Sequence, residues 1–160
     1  MKNLMIVDMQ KGLLNKNNSF LINKINAYLK EEKFNNIFYT RFYNHDESPY
    51  VKFLSFNKMK TEEEVEIAVD AVDDSIIFPK CSYGLANEQI KWLKEKQIKS
   101  IVLCGTDIDA CILAIAFNLF DCGIKPYFKW DLCFSANHDM TAKERVKPLL
   151  IRNFGKDCII

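Results

Sequence analysis

Apolar and polar residues alternate along this chain with two periods, which predict strands and helices in turn. Short apolar runs predict about six strands, at residues 3–9, 36–40, 74–78, 100–103, 125–130 and 157–160. Apolar positions at helical spacing predict helices at residues 19–32, 87–96, 110–122 and 140–154. We therefore expect an α/β protein: a Rossmann-like three-layer α/β/α sandwich with a mostly parallel sheet, in a single domain over residues 1–160.

Residues 100–123, SIVLCGTDIDACILAIAFNLFDCG, constrain the function most strongly. A buried strand is predicted at their start, the polar turn TDID follows, and an almost uniformly apolar helix ends at Gly123. Cys111 therefore lies in the first turn of a helix that follows the carboxyl end of a strand. Because the positive end of a helix favours an anion, we expect the pKa of Cys111 to be lowered toward the reactive thiolate. The alternative is a cysteine that only packs in the core, which is common for this residue type.

Two further reactive residues follow predicted strands. Asp8 lies near the end of the first strand, in NLMIVDM, and Lys80 follows the third strand, in PKCSYG. In a parallel sheet all carboxyl ends lie at one edge, where α/β proteins bind ligands, so both residues can converge with Cys111. Taken singly, Asp8 could cap a loop and Lys80 could be a solvated surface group. Taken together, Lys80 can hold a thiolate, and Asp8 can take the thiol proton and return it to a leaving amine.

Composition and charge narrow the class of partner. The formal net charge is +1 and the basic residues are scattered, which argues against a nucleic acid or a membrane surface as partner. We expect no signal peptide, and no apolar run approaches membrane-spanning length. The six cysteines show no CxxC pairing, which predicts free thiols in a reducing cytoplasm. We therefore expect a cytoplasmic protein that acts on a small-molecule substrate.

Four segments occur along the chain in a characteristic order. They are IVDMQ with Asp8 and Gln10, PKCSYG with Lys80, GTDIDAC with the helix that ends in DCG, and WDLCFS after the fifth strand. In this order and spacing they resemble the isochorismatase-like cysteine hydrolase superfamily, which includes nicotinamidases and N-carbamoylsarcosine amidases. The resemblance spans nearly the whole chain. It implies the same three-layer fold and a catalytic triad of Cys111, Asp8 and Lys80.

The resemblance also implies the detailed arrangement around the triad. It implies a cis peptide bond between Thr106 and Asp107, and an oxyanion hole formed by the backbone N–H groups of Asp107 and Cys111. Relatives are commonly oligomeric, so we expect a homo-oligomer. The chain departs from the family pattern at Ile108, where a small hydroxyl residue is usual, and at Asp107, whose acid would disfavour anionic substrates.

Nicotinamidase-like members of this superfamily bind a metal through an Asp-x-His pair and a further histidine. This chain has only two histidines, His45 and His138, and the ligand spacing is absent. A lone His45 beside Asp46 in a loop is more often solvated than a metal ligand. We therefore expect no metal and no other cofactor.

These observations favour a hydrolase that cleaves a small amide or related C–N bond through a thioester intermediate. Phe42, Tyr43 and Tyr83 are candidates for the walls of a substrate pocket, and Gln10 is a candidate for a polar contact with the substrate. Two alternatives remain open: an isochorismatase-type ether hydrolase, and a catalytically silent relative that serves as a binding or assembly module. The presence of Cys111 argues against the first, and the complete triad argues against the second. No Gly-rich phosphate loop follows the first strand, which argues against phosphotransfer.

Overall fold

The computed structural model describes residues 2–135 and 141–160. They form five strands: β1 (Lys2–Val7), β2 (Phe34–Phe42), β3 (Ile76–Lys80), β4 (Ser100–Thr106) and β5 (Lys125–Phe134). They also form six α-helices: α1 (Leu21–Glu31), α2 (Pro49–Leu54), α3 (Glu62–Val65), α4 (Asn87–Glu95), α5 (Cys111–Asp121) and α6 (Ala142–Phe154). None of these helices is long and apolar enough to cross a membrane.

The strands form one parallel sheet in the order β3-β2-β1-β4-β5. Helices cover both of its faces, so the predicted three-layer α/β fold is confirmed. The order of the strands reverses between β1 and β4. At such a reversal the two following loops leave toward opposite sides, which opens a crevice at the carboxyl edge of the sheet. The fold therefore places the segments after β1 and β4, which carry Asp8 and Cys111, on either side of one crevice.

Apolar residues at the predicted spacings hold the sheet and helices together. The central strand β1 contributes Leu4, Ile6 and Val7 to the core, and none of their side chains is exposed. Helix α5 buries Ile112 and Ile115 against the sheet, at the spacing of successive helical turns. Burial of these side chains removes apolar surface from water, which is the main source of stability for such a layer arrangement.

Gly105 allows the ends of β1 and β4 to approach closely. Its φ angle is +109°, and it pairs with Val7 of the neighbouring strand. A Cβ atom at this position would lie 2.3 Å from the carbonyl oxygen of Val7, so no other residue type fits without displacement of the strand. The close approach brings the turn that leads to Cys111 beside Asp8.

The sheet differs from its prediction at the end of the chain. The predicted strand at 157–160 is wrong, and over the described residues the sheet has five strands rather than about six. Gly155 ends α6, and Lys156–Cys158 form a 3-10 turn, which leaves only Ile159 to form an isolated bridge with Phe128. A segment this short has too few residues to extend the ladder.

Three segments outside the predicted strands and helices contain regular structure. The segment 41–58 includes helix α2, and the acidic run 61–66 includes helix α3, whose first turn is closed by a capping box between Thr61 and Glu64. Strand β5 continues to Phe134, beyond the predicted end at residue 130, because Phe134 pairs with Thr106 at the end of β4. Residues 136–140, which include His138, lie outside the described residues.

Candidate active site

Asp8, Lys80 and Cys111 come together at the carboxyl edge of the sheet. The Nζ atom of Lys80 lies 2.8 Å from Oδ2 of Asp8 and 3.5 Å from Sγ of Cys111. The side chains of Asp8 and Lys80 are completely buried, whereas Cys111 is partly exposed at the start of α5. The three residues follow or end different strands, so their contact depends on the strand order as well as on their positions in the sequence.

Thr40 orients Asp8 from the neighbouring strand β2. Its hydroxyl accepts a hydrogen bond from the backbone N–H of Asp8 at 3.0 Å and donates to Oδ1 of the Asp8 carboxylate at 2.5 Å. Asp8 itself has a φ angle of 48°, a left-handed conformation that is uncommon for residues other than glycine. Thr40 was not among the site residues predicted from the sequence. The available signal was a hydroxyl near the carboxyl end of a predicted buried strand.

Lys80 is held by the turn that follows it. Its Nζ donates to the carbonyl oxygens of Ser82 at 2.9 Å and Tyr83 at 3.4 Å, and it lies 5.1 Å from the centre of the Phe42 ring. Burial disfavours the charged form of Lys80. The charge of the Asp8 carboxylate, together with the interactions with Cys111, outweighs that effect and raises the pKa of Lys80. Lys80 is therefore a fixed cation beside the sulfur at neutral pH.

The environment of Cys111 differs from the sequence expectation. Burial raises the pKa of the Cys111 thiol well above its usual value, and the neighbouring Asp8 raises it further, while Lys80 acts in the opposite direction. The expectation of a lowered pKa is therefore wrong, because desolvation and the carboxylate outweigh the cation and the helix end. Cys111 rests as a neutral thiol and needs a base to become a nucleophile.

The turn between β4 and α5 shapes the other side of the crevice. The peptide bond between Thr106 and Asp107 is cis, and the carbonyl oxygen of Asp107 accepts hydrogen bonds from Ala110 and Ile112. The N–H of Cys111 donates to no backbone or side-chain atom in the described part of the chain. A donor of this kind at the first position of a helix can stabilise a negative oxygen. The contribution of the Asp107 N–H to an oxyanion hole stays a prediction.

Ile108, which stands where the resemblance leads us to expect a small hydroxyl residue, has a structural role. Ile108 is completely buried and packs in the main hydrophobic core, and its N–H donates to the carbonyl oxygen of Phe134. This side chain therefore stabilises the turn through packing and does not occupy the crevice. Asp107, in contrast, is only partly buried, and its charge acts on both Cys111 and Tyr83.

The three aromatic residues predicted to form the pocket walls differ in exposure and in their contacts. Phe42 is buried, and Tyr83 remains 43% exposed beside the Lys80 turn. Both rings contact the ring of Tyr50, with centroids 5.0 Å apart in each case. Tyr43 packs against the same small cluster, and the guanidinium of Arg41 lies over its ring. Tyr50 was not among the residues predicted from the sequence, because no helix was predicted over the segment that contains α2.

Gln10 is a structural residue. Its side-chain amide donates to the carbonyl oxygens of Phe42 at 3.0 Å and Val65 at 2.9 Å, and its oxygen accepts from the N–H of Phe42 at 2.8 Å. The residue is completely buried. Both amide hydrogens of Gln10 therefore bond to backbone atoms of the protein. The side chain connects β2 to α3, a structural role in place of the predicted substrate contact.

The donor set near the crevice does not fit a metal ion. Over residues 2–135 and 141–160, no group of three or more His, Cys, Asp or Glu side chains could hold one. His45 is exposed, and the carboxylate of Asp46 pairs with Lys60 at 2.5 Å. Metal sites of the zinc type need three or four converging donors, which these residues do not supply.

A family model and several solved structures are similar to this chain. Residues 2–150 match the family model described as the isochorismatase domain. The structure is similar to pyrazinamidase of Pyrococcus horikoshii in complex with zinc, with a TM-score of 0.79 and 20% identity over 99% of this chain and 96% of that chain. An isochorismatase-like hydrolase from Alkaliphilus metalliredigens gives a TM-score of 0.83 at 15% identity, over 99% and 94% of the two chains. N-carbamoylsarcosine amidase from Thermoplasma acidophilum gives 0.77 at 17% identity, over 97% and 94%. A comparison with curated protein sequences gives no match.

Proposed function

Because the chain belongs to the isochorismatase family of hydrolases, we propose that it is a cysteine hydrolase that cleaves a small amide or related C–N bond. The observation that carries this proposal is the position of Lys80, whose Nζ contacts both Asp8 and Cys111. A nucleophile, a proton carrier and a fixed cation are the groups that acyl transfer through a thioester requires.

The first step is the attack of Cys111 on the substrate carbonyl carbon. Because the pKa of the thiol is raised, Asp8 takes the proton from Sγ as the S–C bond forms. Lys80 stabilises the negative charge that develops on the sulfur during this transfer. The N–H of Cys111 supports the proposed oxyanion hole, since it has no other acceptor in the described residues.

The second half of the reaction regenerates the thiol. Asp8 returns its proton to the nitrogen of the leaving group, the C–N bond breaks, and the acyl group remains on Sγ as a thioester. A water molecule then gives its proton to Asp8 and attacks the thioester carbon. The carboxylic acid leaves, and the proton returns to the sulfur. Overall, one amide and one water molecule are consumed, and one carboxylic acid and one amine are formed.

The test uses a matched pair of cysteines on the same helix. Cys111 begins α5, and Cys122, which is also partly exposed, follows its end. Purified wild type, Cys111→Ser and Cys122→Ser proteins are incubated with nicotinamide, pyrazinamide and N-carbamoylsarcosine. Release of ammonia and a transient acyl adduct detected by mass spectrometry are the readouts. We expect at least one amide to be hydrolysed by wild type and Cys122→Ser and not by Cys111→Ser.

Two outcomes would contradict the proposal. Amide turnover that survives in Cys111→Ser would exclude the thioester route, because that variant has no thiol at this position. A wild type that hydrolyses no amide and forms no adduct on Cys111 would favour the silent binding or assembly module.

We also propose that the protein acts in the cytoplasm as a homo-oligomer on a small molecule, without a nucleic-acid or membrane partner. The formal net charge of +1 supports the absence of a polyanionic partner. Light scattering of the purified protein tests the oligomeric state, and a monomeric mass at micromolar concentration would contradict it.

A further inference from the structure

Tyr50 has a hydroxyl group that no other protein group uses. The residue is 9% exposed, its hydroxyl oxygen keeps contact with solvent, and it makes no hydrogen bond within residues 2–135 and 141–160. A phenol that is buried along its ring and open at its oxygen can donate a hydrogen bond to a molecule bound beside it. Near a reactive centre, such a hydroxyl is available to the substrate.

The ring of Tyr50 lies next to the triad. It contacts the rings of Phe42 and Tyr83, both at 5.0 Å. Each of these neighbours also borders Lys80: the Phe42 ring centre lies 5.1 Å from Nζ, and the Tyr83 carbonyl oxygen lies 3.4 Å from it. Tyr50 therefore contacts both rings, and it lies close enough to Cys111 and Asp8 for their charges to act on it.

The backbone of this segment holds Tyr50 in place. Ser48 caps helix α2 by accepting from the N–H of Val51, and its hydroxyl donates to the side-chain oxygen of Asn44. The amide of Asn44 donates in turn to the carbonyl oxygens of Phe56 and Lys58. Both Ser48 and Asn44 are buried. This network fixes the first turn of α2, on which Tyr50 lies, so the phenol is preorganised for a ligand.

The electrostatic surroundings define what the hydroxyl can bind. Burial raises the pKa of Tyr50, and the nearby Cys111, Tyr83 and Asp8 raise it further. The phenol therefore keeps its proton at neutral pH and acts as a hydrogen-bond donor. Asp8 and Asp107 place two negative charges near Cys111 against the one positive charge of Lys80, so an uncharged acceptor is favoured over an anion.

We propose that the Tyr50 hydroxyl binds the substrate by donating a hydrogen bond to an uncharged acceptor atom, a carbonyl oxygen or a ring nitrogen, on the acyl part of the amide. This inference rests on the proposed function, since the acyl part is the portion that stays bonded to Cys111. The substrate class is then a neutral amide with a second acceptor besides the scissile carbonyl. Tyr50 is a substrate-binding residue that selects this class.

Aromatic aldehydes test the inference without any turnover. An aldehyde adds reversibly to the Cys111 thiol: the S–C bond forms, and the thiol proton moves to the aldehyde oxygen to give a thiohemiacetal. Benzaldehyde carries no second acceptor, whereas pyridine-2-, pyridine-3- and pyridine-4-carboxaldehyde place one at each ring position. Binding is measured as protection of Cys111 from iodoacetamide at pH 8.5, with the alkylated peptide quantified by mass spectrometry.

The informative variant is Tyr50→Phe, which keeps both ring contacts and removes only the hydroxyl. We expect one pyridine isomer to protect wild type at least about tenfold better than benzaldehyde, and this preference to fall to about threefold or less in Tyr50→Phe. Tyr28→Phe is the matched control, because Tyr28 is also 9% exposed but contacts Phe34 at the opposite end of β2. It should keep the wild-type preference.

Two results would overturn the inference. One is equal protection of wild type by all four aldehydes, including no protection by any. The other is a preference that persists unchanged in Tyr50→Phe. Neither result bears on the thioester route, which the comparison of Cys111→Ser with Cys122→Ser tests separately. The proposed role of Tyr50 can therefore be wrong while the proposed function is right, and the two experiments distinguish these cases.

Discussion

Lys80 and Asp8 form an ion pair inside the protein, with Nζ 2.8 Å from Oδ2 and neither side chain exposed. Removal of one partner leaves the other as an unpaired buried charge, which costs about 3–5 kcal/mol. We expect Lys80→Met to lower the free energy of unfolding in urea by this amount, and Asp8→Asn combined with Lys80→Met to recover part of it.

An exposed ion pair supplies the control for this prediction. Lys60 pairs with Asp46, whose side chain is 85% exposed, so Lys60→Met should cost no more than about 1 kcal/mol. Equal effects of the two lysine substitutions would show that the buried pair contributes no more than a surface pair.

The pH dependence of Cys111 should respond in opposite directions to its two neighbours. Asp8 raises the pKa of the thiol and Lys80 lowers it. In Asp8→Asn the pKa of the thiol should fall. The thiolate fraction at pH 7 and the rate of alkylation by iodoacetamide should therefore increase, by about tenfold if the pKa falls by one. In Lys80→Met the pKa should rise and alkylation should slow.

Hydrolysis should not follow alkylation in Asp8→Asn. Because this variant has no group to move the proton, its kcat should fall by about 10²–10⁴-fold although its thiol is more reactive. An alkylation rate that decreases in Asp8→Asn at every pH would contradict the assigned electrostatics.

Thr40 should act as a positioning residue for Asp8. Thr40→Val keeps the shape of the side chain but removes both hydrogen bonds to Asp8, so we expect a loss of about 1–3 kcal/mol in unfolding free energy and a lower kcat. Thr40→Ser keeps the hydroxyl and should restore kcat. The pH profile of Cys111 alkylation separates this role from a purely structural one, since it should change in Thr40→Val only.

Gly105 and Gly123 form a matched pair of glycines with positive φ angles, +109° and +77°. A Cβ at Gly105 would collide with the backbone of Val7, whereas one at Gly123 would meet no atom within 4 Å. Gly123→Ala should therefore cost about 1 kcal/mol from backbone strain alone. Gly105→Ala should reduce the yield of folded protein or lower its melting temperature far more, and similar melting temperatures for the two variants would be inconsistent with the close approach of β1 and β4.

Gln10 should affect stability more than substrate binding. Gln10→Ala removes three hydrogen bonds, two to backbone groups of Phe42 and one to the carbonyl oxygen of Val65, which keeps only its bond from Arg41. The unfolding free energy should therefore fall by more than about 2 kcal/mol. The KM for any hydrolysed amide should stay within about threefold of the wild-type value. A marked rise in KM without a loss of stability would restore the role in substrate contact.

Cys111 and Tyr50 differ in how far their positions can be predicted from the sequence. The position of Cys111 at the start of a helix after a strand follows from the apolar pattern of residues 100–123, which is a local property. Tyr50 lies on a six-residue helix whose pattern is too short to recognise, and its place beside the triad depends on how the segment after β2 folds back over Lys80. Short helices of this kind derive their stability from tertiary contacts.

The sequence by itself determined the alternation of strands and helices, and hence the sheet edge that gathers Asp8, Lys80 and Cys111, because apolar spacing and strand ends are encoded locally. Only the tertiary structure decided the roles of Thr40 and Gln10, since the hydrogen-bond partners of both residues lie at least 32 positions away in the sequence. It also decided the protonation state of Cys111. Helix position alone favours a thiolate, but the desolvation and the carboxylate that folding brings to the sulfur keep it neutral.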